Sequence, residues 1–511
     1  MPQIDAALIT ADNIHEILRN GERINLECKK AQNSLPNSIW ETYSAFANTY
    51  GGTILLGVSE NLAEKDLSKR FAITGVDDDQ KIVRNIWDIA NNKEKTSVNL
   101  LRDSDVEVVN VDGRKVVAIN VRQADYTVRP VYINNNISRG SYKRNHEGDY
   151  HCNEQEFRML VRDANEAGND RLMLENYTMD DIDTTSLEQY RIMFKTSNPE
   201  HIWNGLDNKE FLRQLGGYSV DRQSGTESLT MAGLLMFGKG LPIRERFDNL
   251  RLDYIDKSNL LEGQRYSDRL TYDGTWENNL FNFLRLVIPK LSRNLPRPFN
   301  MEGILRVDDT LQHKAVREAL TNAIIHADFM INGILKVEKY DDCFVLTNPG
   351  LLKLPVAQIY SGGESRARNQ RIQSMLRMIG YGENLGSGFP LILHAWDEKH
   401  WLKPELIEQP DLLQVKLVLK VEDSLVPTDG TKGGTKNVVK DVVKDVVKEL
   451  SDRQIFIIYE LISDGTLSAE ILSQKTNSTV RTIQRDLQKL QSLGLISREG
   501  GRKEGRWIVK K

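Results

Sequence analysis

Apolar and polar positions follow several different rhythms along this chain. Residues 39–50 (IWETYSAFANTY) predict a helix that buries Ala45, Phe46 and Ala47 and stops at Gly51-Gly52, where glycine supplies the left-handed geometry of a C-terminal cap. The run TILLGV that follows is short, apolar and bounded by turns, as a buried strand would be. VEVVNVDGRKVVAINV places two β-branched runs on either side of Asp112-Gly113 and predicts a hairpin. Farther on, SLTMAGLLMFGKG and NLRLDYID read as strands and HKAVREALTNAIIHADF as an amphipathic helix. GILKVEKYDDCFVLTNPG reads as a hairpin turning at Asp341-Asp342.

The C-terminal residues predict three helices, SDRQIFIIYELISDG closed by Gly465, LSAEILSQKT, and NSTVRTIQRDLQKLQSLG, followed by the hairpin LISREGGRKEGRWIVKK. In the third helix Asn477 or Ser478 can act as N-cap, and Val480, Ile483, Leu487 and Leu490 form the apolar face. The opposite face carries Arg481, Thr482, Gln484, Arg485 and Lys489, and the hairpin tip carries Arg502 and Lys503. These residue types contact phosphates and base edges when a helix enters the major groove. Helix, turn, helix and basic hairpin together resemble bacterial winged-helix regulators. Ahead of this segment lies a repeat, VVKD-VVKD-VVKE, from Val438 to Glu449. Its four-residue spacing lines the valines along one drifting helix face, to be covered by a partner or a second copy; a charged tether is the other reading. The Gly/Thr/Lys-rich stretch Pro427–Lys436 reads as a linker.

Composition adds a charge asymmetry. The net charge is −4, but residues 431–511 hold 16 Lys and Arg against 10 Asp and Glu, leaving 52 against 62 in the rest. A basic tail on an acidic body suggests a polyanionic partner, hence nucleic acid. The hydrophobic fraction is 40% and the charged fraction 27%, ordinary for a globular chain. No apolar run approaches the ~20 residues a membrane span needs, and the start, MPQIDAALITADNIHEIL, lacks a basic leader. Cys28, Cys152 and Cys343 are widely separated and odd in number, which points to reduced thiols and a cytoplasmic setting without a clustered metal site.

Two stretches resemble known families. On the helix beginning near His313, Glu318 and Asn322 are four residues apart and share a face, with His326 following on it. E-A-L-T-N-A is similar to the N-box of the GHKL ATPases (gyrase, Hsp90, MutL, histidine kinases). CFVLTNPG then places Asn348 and Gly350 where that family has its adenine-reading D-x-G, and GENLGSGF, with Gly386, Ser387 and Gly388, resembles its phosphate lid. The resemblance implies ATP as ligand, Asn322 on the Mg²⁺ that bridges the phosphates, and Glu318 activating the attacking water. Asn348 replaces the family's Asp but keeps an acceptor oxygen. Together with SRARNQRIQ the stretch looks like the divergent module of bacterial proteins labelled transcriptional regulators or ATP-dependent helicases; no P-loop is present.

At the other end, GERINLECKKA and YSAFANTYGGTILLGVSEN resemble the AlbA_2 domain of bacterial regulators and Schlafen proteins, and RPVYINNNISRGSYKR extends the likeness to about Asp163. The resemblance to Schlafen-type ribonucleases implies Glu22, Glu27 and Glu60 as ligands of Mg²⁺ or Mn²⁺, with Lys29 beside them. An odd spacing puts Glu22 and Glu27 on opposite faces of an extended strand, so a bend would be needed to join them. Surface ion pairing of the same residues is the plain alternative. Lys29, Lys30, Arg129, Arg139, Lys143 and Arg144 could meet phosphates in either case.

The expected fold class is α/β multidomain: an α+β Schlafen-like domain at 1–163, a connecting α/β domain at 164–300, an α/β GHKL-like sandwich at 301–425, linker and valine repeat at 426–450, and a winged helix at 451–511. The expected activity is nucleotide-responsive nucleic-acid binding by a DNA-binding regulator, with self-association. The alternative is a Mg²⁺- or Mn²⁺-dependent endonuclease in phage defence, gated by nucleotide or assembly.

Overall fold

The structure is a computed structural model. It describes residues 9–421 apart from 20–23, 62, 65, 294, 296–299, 303, 304, 308 and 383–387, together with 457, 461, 468, 469, 472, 473, 480–492, 496–499 and 506–509. Glu22, Gly386, Ser387, Arg502, Lys503 and the valine repeat lie outside the described residues. The chain forms two compact units, 1–425 and 426–511, divided where the sequence places the start of its linker.

The first unit begins with a four-stranded sheet. Strand β1 (Leu26–Lys29) runs parallel to β2 (Gly52–Leu56), and β2 is antiparallel to the hairpin pair β5 (Val106–Val111) and β6 (Arg114–Val121), in the order β1-β2-β6-β5. A short pair, β3 (Val58–Glu60) and β4 (Phe71–Ile73), leaves its edge. Helices α1 (Ile39–Asn48) and α2 (Asp79–Ala90) cover one face, packing Phe46 and Ile86 against Ile54, Leu56 and Ile119. The opposite face buries Leu26, Cys28, Leu55 and Val116 against Ile14 and Leu18. Burial on both faces explains the uninterrupted apolar run of β2. The turns follow the sequence reading. Gly51 adopts φ +74 and donates to the Phe46 carbonyl at 2.8 Å, ending α1, while Asp112 and Gly113 both have positive φ at the hairpin turn. A second hairpin, β7 (Tyr142–Asn145) and β8 (Gly148–His151), and helix α3 (Glu154–Asp163) complete this part.

A six-stranded sheet follows. Its order is β10-β9-β11-β12-β14-β13, with β9 (Leu250–Asp256), β10 (Asp268–Leu270), β11 (Gly333–Lys339), β12 (Cys343–Pro349), β13 (Glu405–Gln409) and β14 (Gln414–Lys420). Strand β9 pairs in parallel with β11, residue for residue from Leu250↔Gly333 to Asp256↔Lys339. The expected border near residue 300 therefore runs through a single sheet. One core also spans it, from Leu174 to Leu419. Helices α4 (Met231–Phe237), α5 (Leu280–Ser292), α6 (Leu311–Ile325), α7 (Gln370–Met378) and α8 (Gly388–Glu398) contribute to that core.

MAGLLMF corrects the sequence reading: it is a helix, not a strand. Thr230 accepts from the Gly233 N–H to cap it, and all seven residues are buried, so no polar face marks the helical period. Gly233 packs on the Gly217 backbone so closely that a Cβ would lie 2.0 Å from the Gly217 carbonyl oxygen.

In the second unit, helix α9 (Val480–Ser492) buries Ile483, Leu487 and Leu490 against Ile457, Leu461, Leu472 and Ile496. The hairpin of β15 (Ile496–Glu499) and β16 (Arg506–Val509) follows.

Candidate nucleotide cleft and nucleic-acid interface

Helix α6 begins with a capping box: the Thr310 hydroxyl accepts from the His313 N–H and His313 reaches back. Its apolar positions Ala315, Val316, Ala319, Leu320, Ala323 and Ile324 are buried in the core. The face left over presents Glu318 and Asn322, one turn apart, to a partly open cleft of about 120 Å³. Asn348, at the end of β12, lines the same cleft, as do Lys353, Arg366, Arg368 and Gly388.

Two close approaches shape this space. Gly388 opens α8 so near Glu318 that a Cβ on it would lie 2.0 Å from Glu318 Oε1 and 3.4 Å from Asn322 Nδ2. A carboxylate, an amide and a helix N-terminus thus converge, and the N-terminus favours negative charge. Gly350 turns away from β12 with φ +101 and donates to the Leu413 carbonyl at 2.7 Å. Asn348 is buried, and its Nδ2 donates to the Pro349 carbonyl at 3.3 Å, while the amide oxygen is an acceptor.

The SRARN motif holds these pieces in place. Asn369 Nδ2 donates to the Ile324 and Ala327 carbonyls at 3.1 and 2.8 Å, and Arg368 Nη1 donates to the His326 carbonyl at 2.8 Å, so the last carbonyls of α6 are satisfied. Arg368 also bonds both oxygens of Asp163 on α3, at 2.8 and 2.6 Å, and the Leu351 carbonyl. It is a buried bracket, not a phosphate hand. His326 borders the cleft as a neutral imidazole, because burial, with Arg368 and Lys353 near it, lowers its pKa to about 4.

Mg²⁺-ATP fits the donor set of this cleft. Glu318 and Asn322 offer hard oxygens for the cation and its water, Asn348 an acceptor for a base amino group, and Gly388 backbone room at a helix start. Lys353, Glu364 and Ser365 also line it and were missed by sequence reasoning. Lys353 stands inside the apolar stretch LLKLP, where spacing gives no signal.

The acidic site is arranged differently. Glu27 lies on the helix-covered face of β1, where Lys29 meets Oε1 at 2.5 Å and Arg144 meets Oε2 at 2.9 Å; Arg144 also pairs with Asp149 at 3.0 Å. Glu60 pairs with Arg70 at 2.6 Å. Among the described residues no three His, Cys, Asp or Glu side chains form a group able to hold a metal. With both Glu27 oxygens held by cations, a divalent ion does not fit there without displacing Arg144, whose side chain is 1% exposed.

Of the basic residues expected to face phosphate, Arg129 and Arg144 are buried and Lys143 pairs with Glu156, while Lys30 and Arg139 are exposed. On α9, Arg481, Gln484, Arg485 and Lys489 are all exposed, opposite the buried Ile483, Leu487 and Leu490. Arg498 lies over the Trp507 ring at 5.3 Å and stiffens the hairpin.

Several stretches of the chain resemble known families. Residues 22–153 match the family "Schlafen, AlbA_2", and residues 334–417 match "Putative ATP-dependent DNA helicase recG C-terminal". Residues 453–505 match "HTH domain", and residues 158–253 match a domain of unknown function, DUF8451. No curated protein matches the chain. Similar solved structures include the DIP2311 protein from Corynebacterium diphtheriae, 19% identical over 95% of this chain and 91% of that one, with a TM-score of 0.37. The N-terminal domain of a "Putative ATP-dependent DNA Helicase RecG-related Protein" from Nitrosomonas europaea is 24% identical over 29% of this chain and 95% of that one, with a TM-score of 0.23. The chain thus combines an AlbA_2 region, a recG C-terminal ATPase-like region and a helix-turn-helix region in an α/β multidomain architecture. Among the described residues no helix is long and apolar enough to cross a membrane.

Proposed function

We propose that this chain is a nucleotide-responsive, DNA-binding regulator. The cleft beside α6 takes ATP with Mg²⁺, and the exposed face of α9 docks on duplex DNA. The observation that carries the reading is the convergence of Glu318, Asn322, Asn348 and Gly388, drawn from three separate segments, around one cleft. A bound Mg²⁺ would neutralise the phosphate charge. Asn322 would hold that cation through its amide oxygen, Glu318 would orient a water beside it, and Asn348 Oδ1 would accept from the base. On α9, Arg481, Gln484, Arg485 and Lys489 would contact phosphates and base edges, with Arg502 and Lys503 of the wing tip beside them. Self-association of the full chain, through the valine repeat, belongs to the same proposal.

The test uses the full chain, a fluorescent ATP analogue with Mg²⁺, and a labelled duplex. Asn322→Ala should weaken analogue binding by about tenfold or more, the effect of losing one charge-assisted contact of ~1.5–3 kcal/mol. Arg485→Ala should weaken duplex binding and lower its salt dependence by about one unit of slope. Equal analogue affinity in wild type and Asn322→Ala would remove the cleft assignment.

The endonuclease alternative draws on the AlbA_2 match at residues 22–153, and the ion pairs around Glu27 weigh against it. Incubation with labelled tRNA, single-stranded DNA and duplex, with Mg²⁺ or Mn²⁺, decides. Cleavage lost on Glu27→Gln would restore the nuclease.

A further inference from the structure

A second cavity lies between the AlbA_2 region and the sheet that carries the nucleotide cleft. It has a volume of about 60 Å³, several times what one water molecule requires. Its walls come from Tyr50, Tyr126, Arg129 and Arg144 on one side and from Leu351–Lys353 and Glu408 on the other, with Glu156 and Asp163 of α3 between them.

Nearly every charge on these walls is already matched. Arg144 holds Glu27 and Asp149, Lys143 holds Glu156, and Asp163 is held by Arg368. Glu408 accepts from the Leu352 N–H at 2.7 Å and from the Tyr50 hydroxyl. Two cations stand apart. Arg129 and Lys353 are 8% and 7% exposed, yet among the described residues neither has a carboxylate within ion-pair distance. Arg129 donates one Nη2 bond to the Lys353 carbonyl at 2.7 Å, and its buried Nε has no partner. The Lys353 ammonium lies 4.3 Å from the centre of the Tyr126 ring, and the Arg366 guanidinium lies 6.0 Å from it.

Asp163 acts on both cations, and Glu408 and Asp125 on Arg129, only from beyond ion-pair distance, and burying cations without a direct partner is unfavourable. We infer that this cavity is a binding site for a compact oxyanion of the phosphate class, held by Arg129 and Lys353 over the Tyr126 ring. Burial brings Lys353 down to about 8, with Asp163 opposing and Arg368 and Arg129 adding to it, and burial lowers Arg129 against Asp163, Glu408 and Asp125. An anion between them would reverse both shifts. Glu408 and Asp163 remain close enough to repel it. The site therefore suits a small anion that sits near the cations and away from the two carboxylates, and it excludes a bulky one.

The experiment titrates inorganic phosphate into the full-length chain by calorimetry and by thermal unfolding, with sodium chloride matched in ionic strength as control. Phosphate should bind once and raise the unfolding temperature by about 1–3 °C above the control at concentrations well over its Kd. Lys353→Met and Arg129→Gln should each lower phosphate affinity by about tenfold or more, and Lys353→Arg should keep it. Asn322→Ala, which alters the nucleotide cleft, should respond like wild type. Equal responses in wild type and Arg129→Gln, or a response lost in Asn322→Ala, would overturn the assignment; because Lys353 borders both cavities, loss in Lys353→Met and Asn322→Ala but not in Arg129→Gln would place the phosphate in the nucleotide cleft.

Discussion

Gly388 and Glu318 compete for the same space, and the competition is set by a single missing methyl group. A Cβ at 388 would fall 2.0 Å from Glu318 Oε1, so Gly388→Ala must turn that buried carboxylate away beside Asn322. The carboxylate is the far end of a flexible side chain, so folding should suffer only by about 1 kcal/mol, as off-rotamer strain does. ATP-analogue affinity should nonetheless fall several-fold, and unchanged affinity would show that Glu318 already stands outside the ligand's place. Asp170 supplies a second residue-scale expectation. It is fully buried, its Oδ2 accepting from the Ile372 N–H at 2.8 Å, and burial, only partly opposed by that bond and by Arg371, raises its pKa to about 6 from 3.8. Between those values the folded protein keeps a proton that the unfolded chain has lost. This group's contribution is therefore greatest below about pH 4, falls as pH rises towards 6 and is level above that. Two units amount to about 3 kcal/mol. Asp170→Asn keeps an acceptor for Ile372 and cannot ionise. The change in denaturation midpoint between pH 4 and pH 7 should shrink accordingly, and an identical pH profile would refute the buried-charge account.

Among the elements, α6 shows most plainly what the sequence could tell. Its period and the pairing of Glu318 with Asn322 were readable, because helix geometry is local and four-residue spacing suffices, whereas its Thr310 capping box was not read. What fixes its far end was not. The carbonyls of Ile324, His326 and Ala327 are closed by Arg368 and Asn369, more than forty residues later, and Arg368 is balanced by Asp163 on α3. The same limit hid α4, which is buried on every side and so carries no polar stripe. It also hid the partnership of β9 with β11 across an expected border, since parallel pairing leaves no turn between the strands to read. Lys353 was hidden in the same way: its neighbours Tyr126 and Arg129 come from a region more than two hundred residues earlier. Replacing Arg368 with Met should expose how much rests on that bracket. The change leaves Asp163 buried without that cation and removes the donors to the His326 and Leu351 carbonyls, a loss of about 3–5 kcal/mol. Thermal unfolding of the first unit should drop by several degrees, whereas a change within about 0.5 kcal/mol would mean that water replaces the guanidinium.

At the scale of the whole molecule the question is whether the two compact units act on one another, and thermodynamics makes that testable without any picture of their arrangement. If Mg²⁺-nucleotide in the first unit alters duplex binding by the second, duplex must alter nucleotide affinity by the same factor. Regulators of this kind commonly show couplings of about 5- to 150-fold. The full chain should therefore bind a labelled duplex with a different Kd when the ATP analogue is saturating, and analogue titrations at saturating duplex should return an equal ratio. Asn322→Ala should abolish the effect in both directions while leaving duplex affinity in the absence of nucleotide unchanged, because Asn322 lies in the first unit and the exposed Arg481, Gln484 and Arg485 lie in the second. Salt must be held constant throughout, since phosphate contacts alone shift duplex affinity steeply with ionic strength. A duplex Kd that ignores the nucleotide would make the chain two independent binders on one polypeptide. Equal, reciprocal factors would make the nucleotide cleft a control site for the DNA reader.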